Sequence, residues 1–178
     1  MNLVKEQRNP ADFPILGILR RSPLHGYDLC RELDERLGEI WTLRKSHVYA
    51  LLSGLEKDGL IRHERVGQET RPTKKVFSVT EEGSRTFLDW VRSPVEQVRD
   101  IRLEFLAKLH FAGLESPSAV PDLIADQLGV CLRKEKRLRD RIRFCKTVTG
   151  RAALDFRLAM VEATVAWLTR LRDPDRMR

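Results

Sequence analysis

Two groups of residues in the first half of the chain carry the side chains that nucleic-acid chemistry needs. The first is Arg44, Lys45, Ser46, His47 and Tyr49. Their guanidinium, ammonium, hydroxyl and imidazole groups suit phosphate oxygens and base edges. The second runs from Arg62 to Lys75 and holds Arg62, His63, Arg65, Arg71, Lys74 and Lys75, five Lys/Arg against Glu64 and Glu69. That excess favours an anionic partner, yet a solvated hairpin with charged faces carries the same charge. On charge alone both readings stand. The most basic stretch lies later, from Arg133 to Lys146, with eight Lys/Arg against two acids. The usual origin of such a run is a solvated helix face, and a second DNA-binding surface is the alternative. Asp155 and Glu162 on a neighbouring helix are candidates to neutralise it.

Other chemistries find little support. The four histidines (His25, His47, His63, His110) show no metal-ligand spacing, so no metal is expected. Cys30, Cys131 and Cys145 lie far apart without a CxxC pair, and their odd number argues against a disulfide framework. They read as small core or seam residues. No GxSxG, P-loop or GxGxxG occurs, and acidic stretches such as Glu32–Glu35 read as helix surface. Neither an enzyme nor a cofactor is expected. Trp41, Trp90, Phe105, Phe111, Phe144, Phe156 and Trp167 are open to two readings, core or the lining of an effector pocket, with core the commoner use.

The 178 residues suffice for one ordinary domain or two small ones, and 42% hydrophobic content supports a packed core. A net charge of +7 permits a nucleic-acid partner without requiring one. There is no apolar run of membrane-spanning length and no secretory-type stretch at the N-terminus, so a cytoplasmic protein without a membrane partner is expected.

The elements that must position these residues follow from periodicity. Asp12 is the expected cap of a first helix with Ile15, Leu16, Ile18 and Leu19. A turn at Ser22–Gly26 leads to a second, with Leu29, Leu33 and Leu37 at four-residue intervals and Gly38 as its stop. Ser46 is the expected cap of a third, whose stripe is Val48, Leu51, Leu52 and Leu55, ending at Asp58-Gly59. Leu60–Val66 and Lys75–Thr80 are β-like runs around the turn-rich Gly67–Thr73, a hairpin with a long tip. Thr80 should cap a fourth helix, and Ser93-Pro94 should close it. The expected domains are thus 1–94 and 95–178.

The second half reads as all helical. One helix is expected over Val98–Phe111, then a linker over Gly113–Pro121, with Ser116, Ser118 and Val120 all candidates for the next cap. Two seams follow with alternating four- and three-residue steps. The first is Ile124, Leu128, Cys131, Glu135, Leu138, Ile142 and Cys145; the second is Leu154, Leu158, Val161, Val165 and Leu168. They can pair within one chain through a turn at Thr149-Gly150. Two such hairpins would leave further apolar surface for a second subunit, so their apolar members, Ile142 among them, are the candidate dimerisation residues.

Three helices and a hairpin within about seventy residues make a winged helix-turn-helix, with the third helix suited to the major groove and the hairpin to flanking phosphates. The fold class expected is mainly α with a small β-hairpin: a winged helix followed by an all-α dimerisation domain. The stretches PILGILRRSPLHGYDLCRELDERLG, HVYALLSGLEKDGLI and RPTKKVFSVTEEG resemble the PadR family of transcriptional regulators, from Pro14 to about Trp90. IRLEFLAKLHF and the helices after it resemble the extended C-terminal dimerisation domain of one PadR branch. The resemblance implies a homodimer on a near-palindromic DNA operator, usually a repressor, in some members released by a small aromatic effector. It places Tyr49 in or near the major groove and Arg71, Lys74 and Lys75 on the wing. Lys45-Ser46-His47 replaces a proline-glycine-threonine-like start to the third helix, and Ser53-Gly54 stands where basic residues are frequent. Binding should therefore lean on the start of that helix and on the wing. A helical module that binds a protein partner is the runner-up.

Overall fold

The structure, a computed structural model, describes residues 8–66 and 74–173, with the side chains of Val66 and Lys74 outside the description. It is mainly helical with one small antiparallel sheet. By backbone contacts the chain divides between Val91 and Arg92 into two compact units.

In the first unit, α1 (Asp12–Leu19) is apolar nearly all round and is buried from Pro14 to Leu19. Pro14 sits in the first turn, where its missing N–H costs no hydrogen bond. Asp12 lies inside that turn and makes no cap. The backbone N–H of Ala11 instead donates to Asn9 Oδ1 at 3.0 Å. Helix α2 (Gly26–Leu37) buries Leu29, Leu33 and Leu37 and pairs Arg36 with Glu32 at 2.7 Å on its wet side. Gly38 ends it with right-handed backbone; a Cβ there would lie 2.4 Å from the Asp34 carbonyl oxygen.

Helix α3 (Lys45–Lys57) buries Val48, Leu51, Leu52 and Leu55. Arg44, in extended conformation, precedes it, so Ser46 stands in the first turn and not at the cap. The helix closes on Gly59, whose φ of 73° is left-handed. Leu60 N–H donates to the Leu55 carbonyl and Gly59 N–H to that of Glu56, the paired closure that glycine permits.

The sheet has three strands. β2 (Ile61–Val66) and β3 (Lys74–Val79) form the expected hairpin, and β1 (Leu24–His25) adds to the other edge of β3, in the order β1-β3-β2. Leu24 faces Phe77 and His25 faces Val76, so part of the expected Ser22–Gly26 turn is strand. Thr80 caps α4 (Glu81–Arg92): its hydroxyl accepts from Gly83 N–H at 3.1 Å. Phe87, Trp90 and Val91 face the core, and Phe13 stacks on Trp90 with ring centroids 4.7 Å apart.

In the second unit the expected Val98–Phe111 helix begins irregularly, with a 3-10 turn at Val98–Asp100 and a π turn at Ile101–Phe105, before α5 (Leu106–Glu115). Lys108 is buried here, paired with Glu104 at 3.1 Å and donating to the Ser93 carbonyl at 2.8 Å. Burial lowers its pKa, and Glu104 opposes that shift. Helices α6 (Ala119–Phe144) and α7 (Val148–Leu171) form a hairpin. Its turn falls at Cys145–Thr147. Thr149-Gly150 lies in the first turn of α7, where Thr147 Oγ1 accepts from Gly150 N–H at 3.2 Å. Buried Gln127 clamps Val95 on both sides, taking its N–H at 2.7 Å and donating to its carbonyl at 3.0 Å.

Candidate nucleic-acid interface

Helix α3 turns its apolar stripe inward, which leaves Arg44, Lys45, Ser46, His47 and Tyr49 together on its exposed side. No side chain caps the helix. Its positive dipole end therefore stays available to an anion beside two basic side chains.

Lys45 and Tyr49 are held by the turn that begins α2. The Lys45 ammonium lies 4.9 Å from the centre of the Tyr27 ring, and Tyr27 is 62% exposed. Tyr49 rests against Gly26, where a Cβ would lie 2.7 Å from Tyr49 Cε1. Half of Tyr49 stays exposed. These seats explain the His25-Gly26-Tyr27 turn in local terms: glycine admits one phenol and tyrosine supports the lysine. Sequence reasoning missed Tyr27 as a member of the group. Its signal was an aromatic directly after a glycine, outside the leucine stripe of α2.

The wing presents its charges by strand alternation. Arg65 faces Lys75 across β2 and β3, and both are exposed. Arg62 donates to Ser78 Oγ at 3.3 Å, while His63 contacts the Glu56 carboxylate of α3. His25 Nδ1 donates to the Lys75 carbonyl at 3.2 Å, tying β1 to the wing strand. Arg71 and the Lys74 side chain lie outside the described residues. The other expected DNA-binding residues, Arg44 to Tyr49, Arg65 and Lys75, all belong to the first unit.

At the end of α3 sits a small charged cluster. Arg8 lies 3.0 Å from Asp58 and 4.0 Å from Asp12. Burial pushes the Asp12 pKa up to about 6, with Asp58 adding to the rise and Arg8 and His47 opposing it. Cys30 has its thiol pKa raised by burial against the pull of Lys45, which suits a packing role. All three cysteines are free, and no group of His, Cys, Asp or Glu among the described residues could hold a metal ion. No described helix is long and apolar enough to cross a membrane.

Of the seam residues, Ile124, Cys131, Leu138, Leu154, Leu158, Val161 and Leu168 are buried within the single chain, and Leu128, Ile142 and Val165 are half-buried. The apolar groups left outside include Leu132, Phe144 and Val148, the last two 82% and 88% exposed at the hairpin turn. The aromatic residues do not form one set. Trp41 and Trp90 belong to the first unit and the other five to the second; Trp90, Phe105 and Phe111 are core, whereas Phe144 and Phe156 are exposed.

Comparison with known proteins gives a consistent result. Residues 15–89 match the model of the transcriptional regulator PadR-like family. The negative transcriptional regulator PadR of Bacillus subtilis is 34% identical over 131 residues, covering 72% of this chain and 69% of that protein. Among solved structures, B. subtilis PadR in complex with operator DNA is 28% identical with a TM-score of 0.46, covering 92% of this chain and 98% of the other. The same protein with p-coumaric acid is 24% identical with a TM-score of 0.42, covering 95% and 97%.

Proposed function

The chain belongs to the PadR-like family of transcriptional regulators, and on that premise we propose that it represses transcription by binding a near-palindromic DNA operator as a homodimer. The members of this family regulate transcription and are not enzymes. The observation that carries the proposal is the exposed group from Arg44 to Tyr49 at an uncapped helix start, in the same unit as the Arg65/Lys75 wing pair. Phosphate contacts from Arg44, Lys45, Arg65 and Lys75 fix register, and Ser46 and His47 read base edges. Arg71 and Lys74 extend the wing in the same role. The repressor role rests on the B. subtilis relative, a negative regulator.

Homodimerisation is supported by Phe144 and Val148, large apolar groups that the single chain leaves uncovered. A small aromatic effector that releases DNA belongs to the same proposal, and its support is family membership alone. The test is retardation of a palindromic duplex from the chain's own promoter region, with affinity falling steeply as salt rises. No retardation at low salt would overturn DNA binding and favour a protein partner. Light scattering that returned a 20.7 kDa particle at micromolar concentration would overturn the dimer. Retardation unchanged by p-coumaric acid at millimolar concentration would remove that compound as effector.

A further inference from the structure

A groove of about 730 Å³ runs along the second unit, between the Glu96–Arg99 segment and the outer side of the α6–α7 hairpin. That volume lies in the range of small-molecule sites. Lys134 builds one wall by donating to the Glu96 carbonyl and to Gln97 Oε1, both at 3.0 Å. The floor is apolar, with Val130, Leu138 and Val161. Phe156 and Met160 also line it and are 68% and 48% exposed.

Five arginines line the groove: Arg99, paired with Asp100 at 3.6 Å, and four others. Arg133, Arg137 and Arg141 repeat every four residues on α6, about 6 Å apart along its axis, and Arg157 joins them from α7. None of the four makes an ion pair with a described residue. The contrast is Arg139, on another face of α6, which is paired with Glu135 and Glu162. Acids are thus placed to neutralise the hairpin elsewhere and not here. Glu96 is the one acidic side chain lining the groove.

We propose that this groove binds a soluble anionic amphiphile, with a phosphate or diphosphate head on the arginines and an apolar body on the floor. Guanidinium forks match phosphate oxygens in pairs. Three unpaired guanidiniums in a row on α6, with a fourth from α7, exceed what one carboxylate can satisfy. Duplex DNA would use the arginines and leave Phe156 and Met160 uncovered, so it fits only half of the lining. The site lies wholly within the second unit and does not rest on DNA binding by the first.

Calorimetric titration of the full chain, without DNA, tests this with geranyl diphosphate as probe. Inorganic diphosphate and cinnamate test the head alone and a monocarboxylate head. Geranyl diphosphate should bind at least about tenfold more tightly than either. The double variant R137Q/R141Q should weaken it by about tenfold or more. K136Q/R143Q removes the same charge from exposed positions outside the groove and should change affinity less than about twofold. Phe156→Ser should weaken geranyl diphosphate and leave inorganic diphosphate unaffected. Equal losses in both double variants would mean diffuse electrostatics and overturn the site. So would equal binding of inorganic diphosphate, or no binding of the probe. Capture of the chain by phosphatidylglycerol vesicles, without affinity for geranyl diphosphate, would transfer the surface to membranes and overturn it as well.

Discussion

Arg65 and Lys75 stand directly opposite one another on exposed strands, a placement that works against the free protein. Like charges facing across an antiparallel pair destabilise by a few tenths to about 1 kcal/mol. A phosphate between them turns that repulsion into two charge-assisted contacts. Replacing both, as Arg65→Gln with Lys75→Gln, should therefore move stability and DNA binding in opposite directions. Urea unfolding should show unchanged stability or a gain of up to about 1 kcal/mol. Each phosphate contact contributes about 0.9 to the slope of log affinity against log salt, so one wing accounts for about 1.8 and two wings for about 3.6. Over a rise from about 50 to 200 mM salt, the loss of affinity should shrink by roughly 12-fold per wing engaged. Fluorescence anisotropy across a salt series on a labelled duplex measures this. The size of the change also counts the wings, and so reports on the dimer. An unchanged slope would refute the wing assignment. A lower affinity at equal slope, with a less stable protein, would show that the pair matters to the fold and not to phosphate.

Three further outcomes follow from close contacts and burial. A Cβ at Gly83 would lie 2.1 Å from the Leu60 carbonyl oxygen, which also accepts from Thr80, so Gly83→Ala should cost about 1–3 kcal/mol in thermal unfolding; an unchanged Tm would contradict that contact. Gly26→Ala would push Tyr49 from its seat, and since that ring is half exposed, stability should fall by less than about 1 kcal/mol while DNA affinity drops. Equal affinity would show that the seat is dispensable. Asp12, with its pKa raised to about 6, is held protonated by the fold where an unfolded Asp ionises. Its contribution to stability is full below pH 4 and is lost as pH rises through 6, so wild type should lose about 2–3 kcal/mol relative to Asp12→Asn between pH 4 and 7. A flat difference in chemical unfolding across that range would exclude the buried carboxyl as its source.

What the sequence made legible was set by where one physical signal dominates. Leucine periodicity placed α2 and the inner face of α3, and β-branched runs placed the hairpin. The starts of α1 and α3 were less legible, because neither helix begins at the capping side chain the sequence offers. Ser46 has the better capping chemistry, yet Arg44 holds the position without a side-chain bond, and Ser46 falls inside the first turn. Asp12 lost the cap of α1 to a turn closed by Asn9. β1 was hidden because two residues carry no period; only the partner strand makes Leu24 and His25 a strand. The π turn before α5 is invisible for the same reason, being a matter of hydrogen-bond register and not of composition. In the candidate interface the residue types were readable, while the support of Lys45 by Tyr27 and of Tyr49 by Gly26 needed the fold.

The charge of the second unit shows how helical geometry divides a single basic run. Between Arg133 and Lys146 the sequence offers one block, and acids on the neighbouring helix are an apparent means of neutralising it. Helix α6 turns about 100° per residue, so the block separates into faces with different surroundings. Arg139 lies on the face that meets Glu162, and the i to i+4 step from Glu135 adds a second carboxylate there. Arg133, Arg137 and Arg141 share the groove with Arg99, Lys134 and Arg157, where among the described residues Glu96 alone supplies a carboxylate and apolar side chains form the floor. The arginine side chains are exposed to water, yet they line the same groove as the apolar Phe156 and Met160, which a merely solvated face does not require. Neutralisation accounts for Arg139 and leaves the groove arginines unexplained, and for them a bound anion is the complement their surroundings lack.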